Sequence, residues 1–562
     1  MTTQNIKFFL IALLGVLGMM LYNTWQEDYP AKTKSIAYKT ESKTKNKDNP
    51  IASVPDDKEI PMPTVAIKES KQITEINTAH PENIIQIKTD LFKIKIDKKG
   101  GDIIQLILTD YAKDQKTYGE GYVLFDDSSD RYYIAQSGLA SELGPDSREL
   151  GRTVYHTNQK EYEMGVANQL IVNFTTHLSH SVSVIKQFVF ERGSYVIGVG
   201  YIVQNKGTEP YTGNFYARLK RRADLESGGG FLGIQTFTGA ALNTPSTPYK
   251  KISFKDIAEK PLEESIQGGW AAMIEHYFVS AWIPENSLKN TYQTQNVNQD
   301  VYMIGLVEPS ITVLPGEEKH IKAKLYAGPE ITEDLEGLAP GLELAVDYGV
   351  LWPICQPIFW LLKKMFQLTH NWGIAIILVT VIIKLLFYRL SASSYRSMGN
   401  MRKLQPRLEA LKERYADDKQ KFSQAMMELY KKEKINPLGG CLPVVIQIPV
   451  FIALYYVLLG SVELREAPFI FWITDLSAKD PYYVLPILMG ASMLFQQRLN
   501  PTSPDPVQAK VMMFMPIVFT GLFLSFPSGL VLYWLVNNIL SIAQQWVISK
   551  RIDSAAHHHG AK

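Results

Sequence analysis

Cysteine is almost missing from this 562-residue sequence. Cys355 and Cys441 supply no disulfide framework, and on the topology argued below they fall near opposite membrane faces, which disfavours a bridge. A dominant charge is missing too. The 58 Lys and Arg against 56 Asp and Glu leave a net charge of +2, so no global field selects nucleic acid as a direct partner. The Walker A, H-E-x-x-H and G-x-S-x-G patterns are absent, which leaves nucleotide hydrolysis, zinc proteolysis and α/β-hydrolase chemistry without support. His557, His558 and His559 read as a bland tail or tag remnant rather than a metal site. No catalytic residue, cofactor or metal is expected.

The most informative absence lies in the last third. Residues 372–391, 438–460, 482–497 and 511–548 are apolar and contain no Asp, Glu or His. A pump's usual proton or sodium relay has no acid there. Lys384 is the one ionisable side chain placed mid-membrane, and it has no ionic partner in these runs. A charge at that depth costs several kcal/mol. It survives by snorkelling to the cytoplasmic face, on the side where Arg389 follows along the helix, or by facing a wet groove, and both readings stay open at this point.

Mean hydropathy is only −0.08 although 46% of residues are hydrophobic, so a large water-exposed part accompanies the apolar runs. Residues 1–25 end in an apolar run, 6–25, long enough for an N-terminal membrane anchor. Residues 26–82 are polar, with the composition of a flexible linker. From 83 to 337 the period is two: Phe92, Ile94 and Ile96 alternate with Lys93, Lys95 and Asp97, and Tyr195 to Val203 repeats the pattern before Asn205-Lys206-Gly207. Many short strands between Gly and Asn turns predict a β-sandwich. Residues 338–371, broken by Pro353 and Pro357 and carrying Trp352 and Trp360, read as an interfacial amphipathic helix.

Charge orients the remainder. The loop 392–437 is basic, with Arg396, Arg402, Lys403 and Arg407 among its cations, and positive-inside places it in the cytoplasm. Leu404, Leu408, Leu411 and Tyr415 at helical spacing, then Asp417-Asp418 as a cap before Phe422, Met426 and Leu429, predict a helical hairpin there. Met398, Met401, Met426 and Met427 are read as filler before soft contact surface. The acidic loop 461–481 goes outside. The spans are then 372–391, 438–460, 482–499, 511–526 and 529–548, hinged at Phe526-Pro527-Ser528-Gly529, with loop 500–510 and tail 549–562 in the cytoplasm. The β-domain is external and both termini are cytoplasmic. The runs 482–497 and 511–526 each cover only about 24 Å. Thr380 and Lys384 share a helix face. Gln447, Thr520, Asn537, Asn538 and Ser541 add polarity within the spans, with interhelical hydrogen bonds as the plain reading for Gln447 and the asparagines.

The run KINPLGGCLPVVIQIPVFIALYYVLLGSVELREAPF, followed by DPYYVLPILMG, FMPIVF and FPSGLVLYW, resembles the YidC/Oxa/Alb family. AQSGL at 135–139, TFTGAALNTP at 236–245, GGWAAM at 268–273, YFVSAWIP at 277–284 and LAVDYGVLW at 344–352 resemble its proteobacterial form. The resemblance implies a polytopic α-helical membrane protein of six spans with a five-helix core. It also implies a large periplasmic all-β domain of supersandwich type. Its implied activity is insertion and folding of inner-membrane proteins through a hydrophilic groove, alone or with the Sec translocon. The implied partners are nascent membrane proteins, the Sec translocon and its accessory subunits, a transiently bound ribosome and membrane lipids. The resemblance implies that Lys384, Thr380, Gln447, Tyr533, Trp534 and Asn537 fall on or beside the groove. Arg396, Arg402, Lys403 and Arg407 belong to the cytoplasmic hairpin. Lys384 stands where the family usually has Arg, which keeps the charge and loses the planar fork. A small-solute transporter or channel, and a membrane-anchored sugar-binding or hydrolytic domain, are the alternatives.

Overall fold

A computed structural model of the chain describes residues 81–111, 121–147, 149, 151–223, 237–298, 300–346, 348, 351–415, 418–433, 442–500 and 506–559. The run 6–25, the linker up to residue 80, Asp417 and Cys441 lie outside them.

The period-two pattern becomes strand. Phe92–Asp97 buries Phe92, Ile94 and Ile96. Gly100 and Gly101, at φ 77° and 64°, turn the chain into Asp102–Leu108 as only glycine does cheaply. Val196–Asn205 buries Ile197, Val199, Tyr201 and Val203. Two sheets result. One has eight strands in the order Lys250–Ile252, Gly239–Leu242, Ala271–Glu275, Phe278–Ile283, Glu318–Pro329, Val196–Asn205, Val182–Glu191 and Gln169–His177. The other has thirteen, and its spine runs Glu263–Gln267, Lys289–Asn298, Val301–Val307, Tyr211–Arg222, Tyr133–Ala140, Asp102–Leu108, Phe92–Asp97, Ile84–Lys88 and Glu161–Glu163. Their inner faces share one apolar layer. Across it Tyr201 meets Phe215 edge-to-face at 5.7 Å, and the Trp282 indole donates to Arg218 O at 3.2 Å. Arg152 bridges Asp102 and Asp146, and the fully buried Lys186 Nζ donates to three carbonyls, Gly100, Gly101 and Ser137, at 2.8–3.0 Å. Arg152 pairs with both carboxylates and three carbonyls satisfy Lys186, whose pKa burial lowers to about 7, so the cluster tolerates burial.

The helices are α1 (Phe254–Glu259), α2 (Thr332–Glu336), α3 (Trp352–Thr369), α4 (Trp372–Leu386), α5 (Tyr388–Lys403), α6 (Gln405–Arg414), α7 (Lys419–Lys432), α8 (Leu442–Gly460), α9 (Val484–Leu499), α10 (Pro506–Phe523) and α11 (Ser528–His559). The first two belong to the β-domain and its exit. In α3, Cys355, Ile358, Phe359 and Leu362 are buried against α4 and α8, while Trp352 and Trp360 face outward.

Several boundaries differ from the sequence expectation. The run 372–391 is not one helix: α4 stops at Leu386 and the chain bends by 67° into α5. The apolar stripe ends there, and α5 packs a different face, Ala392 and Tyr395, on Ile548 of α11. Helix α10 begins at Pro506, inside the stretch read as loop 500–510. Helix α11 continues past 548 to His559. Among the described residues no single helix is long and apolar enough to cross a bilayer by itself; the bent pair α4–α5 passes that test together.

The hairpin forms from α5, α6 and α7. Leu404, Leu408 and Tyr430 make its core, with Met401, Met426 and Leu429 against it. Asp418 caps α7 through Gln420 N and Lys421 N at 3.1 and 3.0 Å. Met398, Met401 and Met426 are packed and Met427 is exposed.

Candidate functional site

A polar seam crosses the helical core. Lys384 Nζ on α4 donates to Ser541 Oγ on α11 at 2.7 Å. The Ser541 hydroxyl donates one turn back to Asn537 O at 2.6 Å, so its lone pairs are what receive the ammonium. Gln447 on α8 donates through Nε2 to Asn537 Oδ1. Three helices are thus tied by Lys384, Ser541, Asn537 and Gln447, and Lys384 and Gln447 keep partial exposure. Asn538 extends the polarity to α9 by donating to Ser492 Oγ at 3.1 Å.

An aromatic cluster adjoins the seam. Phe451 of α8 stacks on Tyr533 at 6.3 Å and meets Trp534 edge-on at 4.7 Å. Trp534 also faces Phe519 and Phe523 of α10 at 6.2 and 5.4 Å. Among the described residues neither the Tyr533 hydroxyl nor the Trp534 indole N–H has a hydrogen-bond partner. Buried polar groups normally find one, so both donors are left over inside the packed cluster.

The structure brings Lys384, Gln447 and Asn537 together and puts Tyr533 and Trp534 beside them. Thr380 differs from expectation. Its side chain is 1% exposed, like that of Tyr533, and its hydroxyl is spent on Ile376 O at 2.7 Å. Neither residue borders open space. Arg396, Arg402, Lys403 and Arg407 are exposed on the hairpin, and Arg407 is held by Glu433 at 2.7 Å. Phe451, Ser492 and Tyr395, which bonds Ser541, were not singled out from sequence. Ser541 carried a signal, since it lies one turn from Asn537.

A second junction joins the β-domain to the loop 461–481. The Arg465 guanidinium lies 5.1, 5.7 and 5.5 Å from the rings of Tyr122, Tyr277 and Phe278. His276 Nε2 is 2.9 Å from Leu459 O; only a protonated Nε2 can donate there, and burial lowers the imidazole pKa, which favours this neutral tautomer. Burial also raises the pKa of the adjacent loop's Glu463 carboxyl.

A curated relative, "Membrane protein insertase YidC" of Pseudomonas putida strain W619, is 49% identical over 550 residues, covering 97% of this chain and 98% of its own. The chain belongs to the YidC family. The YidC of Pseudomonas fluorescens strain SBW25 is likewise 49% identical, over 557 residues at 97% and 98% coverage. The YidC periplasmic domain family matches residues 84–361, and the family described as 60Kd inner membrane protein matches residues 364–555. The β-domain is therefore the YidC periplasmic domain, and the seam lies in the part matched by the second family. A crystal structure of an active YidC insertase with its first transmembrane domain resolved is similar over 83% of this chain and 92% of its own, with TM-score 0.40 and 18% identity.

Proposed function

We propose that this chain inserts and helps fold inner-membrane proteins through the seam between α4, α8 and α11, without chemistry of its own. The observation that carries the reading is a lysine bonded only to a neutral hydroxyl, beside aromatic donors that lack acceptors. An ammonium has three donors, and among the described residues one is used. The others suit an acidic, still extended client segment. Burial of the client's apolar span in lipid supplies the free energy, about 25 cal/mol per Å². Helices α9 and α10, of 16 and 18 residues, measure about 24–27 Å against a hydrocarbon core of about 30 Å. Local thinning shortens the polar path.

Topology follows from charge. The basic hairpin is cytoplasmic and the acidic loop 461–481 is periplasmic. The anchor at 6–25 brings the number of spans to six, and both termini are cytoplasmic. The exposed Arg396, Arg402 and Lys403 receive the incoming chain or the ribosome, and the Sec translocon is a partner for larger clients.

Thr380 and Tyr533 are covered, so the route has to open before a client reaches them. Photocrosslinkers at Gln447 and Trp534, both partly exposed, are expected to trap a nascent single-span client early. Crosslinkers at Thr380 and Tyr533 are expected to trap it only during insertion. Clean absence of adducts at all four positions in an inserting system counts against the route.

A further inference from the structure

The loop 461–481 buries two of its carboxylates, Asp475 and Asp480, and leaves Ile470 and Phe471 exposed, with Tyr482 exposed just beyond it. Asp480 is 1% exposed and accepts from Trp472 Nε1 at 3.0 Å, Tyr482 N at 3.0 Å and Leu485 N at 2.7 Å. Asp475 is buried and accepts from the backbone and hydroxyl of Ser477. Arg465 is spent on the rings of the β-domain. Phe471, by contrast, is 86% exposed, Tyr482 68% and Ile470 47%. A loop shaped by water has the opposite distribution.

The apolar tip is held in place. Phe469 N donates to Ile473 O at 3.0 Å, and Ile473 N to Ile470 O at 3.2 Å. The Phe471 ring stacks on Trp472 at 5.9 Å, and Asp480 fixes that indole. Phe471 has φ 53°, a left-handed conformation that bulky side chains avoid. The backbone is bent to point this ring out.

The tip also sits beside a surface of matching character. Asn371 Nδ2, between α3 and α4, donates to Phe469 O at 2.9 Å. The outer face of α3 carries Trp352, Gln356, Trp360, Lys364 and Leu368 at every fourth position, all exposed. That mixture of aromatic, polar and basic groups suits a helix at headgroup depth. Leu368 and Ile374, exposed on either side of the junction, continue the strip toward Ile470 and Phe471. Lys479, exposed on the same loop, adds a cation that suits lipid phosphate.

We propose that Ile470, Phe471 and Tyr482 form a wedge that enters the headgroup–acyl boundary of the lipid surface on which α3 lies, anchoring the core at a second point. This rests on the reading that the helical core sits in a bilayer. The test places p-benzoylphenylalanine at Phe471 of the full chain in its native membrane. Irradiation is expected to attach phospholipid at 471, while the same probe at Leu314, exposed on the β-domain, attaches none. Absence of lipid adduct at 471, or adducts there chiefly with protein, overturns the wedge. A third probe at Ile517, exposed on α10, separates the two failures. Lipid at 517 without lipid at 471 defeats the wedge alone, and loss at both defeats the bilayer placement.

Discussion

At Lys384 the structure offers a charge without a counterion. Ser541 accepts one ammonium hydrogen and is itself committed as donor to Asn537 O, and among the described residues no carboxylate pairs with the ammonium. Charge rather than fork geometry should then carry function. Lys384→Arg is expected to keep insertion activity. Lys384→Glu is expected to slow clients with acidic translocated segments about tenfold, which needs only about 1.4 kcal/mol of lost attraction. Equal slowing of neutral clients in an in vitro insertion assay would sink the attraction. A second residue gives a stability signature. Glu308 is 4% exposed, one of its carboxylate oxygens lacks a partner among the described residues, and burial, helped by Glu285, pushes its pKa up to about 7. The folded state then holds a proton that the unfolded chain releases above about pH 4.5, so this contribution to stability is full below that pH and is lost as pH rises through about 7. Glu308→Gln stays neutral throughout. Its stability relative to the parent is expected to rise between pH 5 and pH 8 by up to about 3 kcal/mol, read by denaturation at the two pH values; a pH-independent difference would refute the assignment. Lys384, Gln447 and Asn537 were legible in sequence because polar groups stand out in apolar runs. Phe451 was not, because an aromatic in such a run looks like any other filler. The burial of Thr380 was not legible either, since facing Lys384 along a helix does not say what covers that face.

Elements were legible where a local period governs them and not where a distant partner does. The alternation at 92–97 and 196–205 becomes strand with the expected residues inside. The leucine spacing and Asp418 become a capped hairpin. The end of α4 at Leu386 was missed because packing of α5 on α11 decides it. The start of α4 is capped locally by Asn371, whose Oδ1 accepts from Ile374 N at 3.0 Å, but its first turn packs against a neighbour far along the chain. A Cβ on Gly373 would fall 2.0 Å from Phe469 Cδ2 and 2.4 Å from its Cγ. These atoms lie at the root of the ring and cannot swing aside cheaply, and the Phe469 carbonyl is held by Asn371. Gly373→Ala is therefore expected to cost about 1–3 kcal/mol by overpacking, and to open the loop 461–481 to protease. Gly521 in α10, where an added Cβ meets nothing within 4 Å, is the control: Gly521→Ala should leave stability unchanged or raise it by up to about 1 kcal/mol.

Across the whole molecule the two families matched in sequence meet at a junction that neither half reveals alone. His276 and Leu459 are 183 residues apart, as their hydrogen bond records, and Arg465 reaches rings contributed by Tyr122, Tyr277 and Phe278. No period or motif links such positions. The seam, in contrast, is made by α4, α8 and α11, and no β-domain side chain supplies one of its hydrogen bonds among the described residues. Removing residues 83–337 should therefore spare the route and weaken the loop 461–481. The expected result is that the shortened chain still rescues cells depleted of their insertase. It loses the three rings over Arg465, worth about 1–2 kcal/mol, and its thermal midpoint falls by about 2–8 °C. Arg465→Ala in the full chain should reproduce that fall without any deletion, whereas Arg465→Lys, which keeps the charge but not the plane that stacks on the rings, should recover part of it. If the shortened chain fails to rescue while Arg465→Ala rescues fully, the β-domain contributes to insertion by something other than bracing this loop, and the placement of the whole activity in the helical seam is wrong.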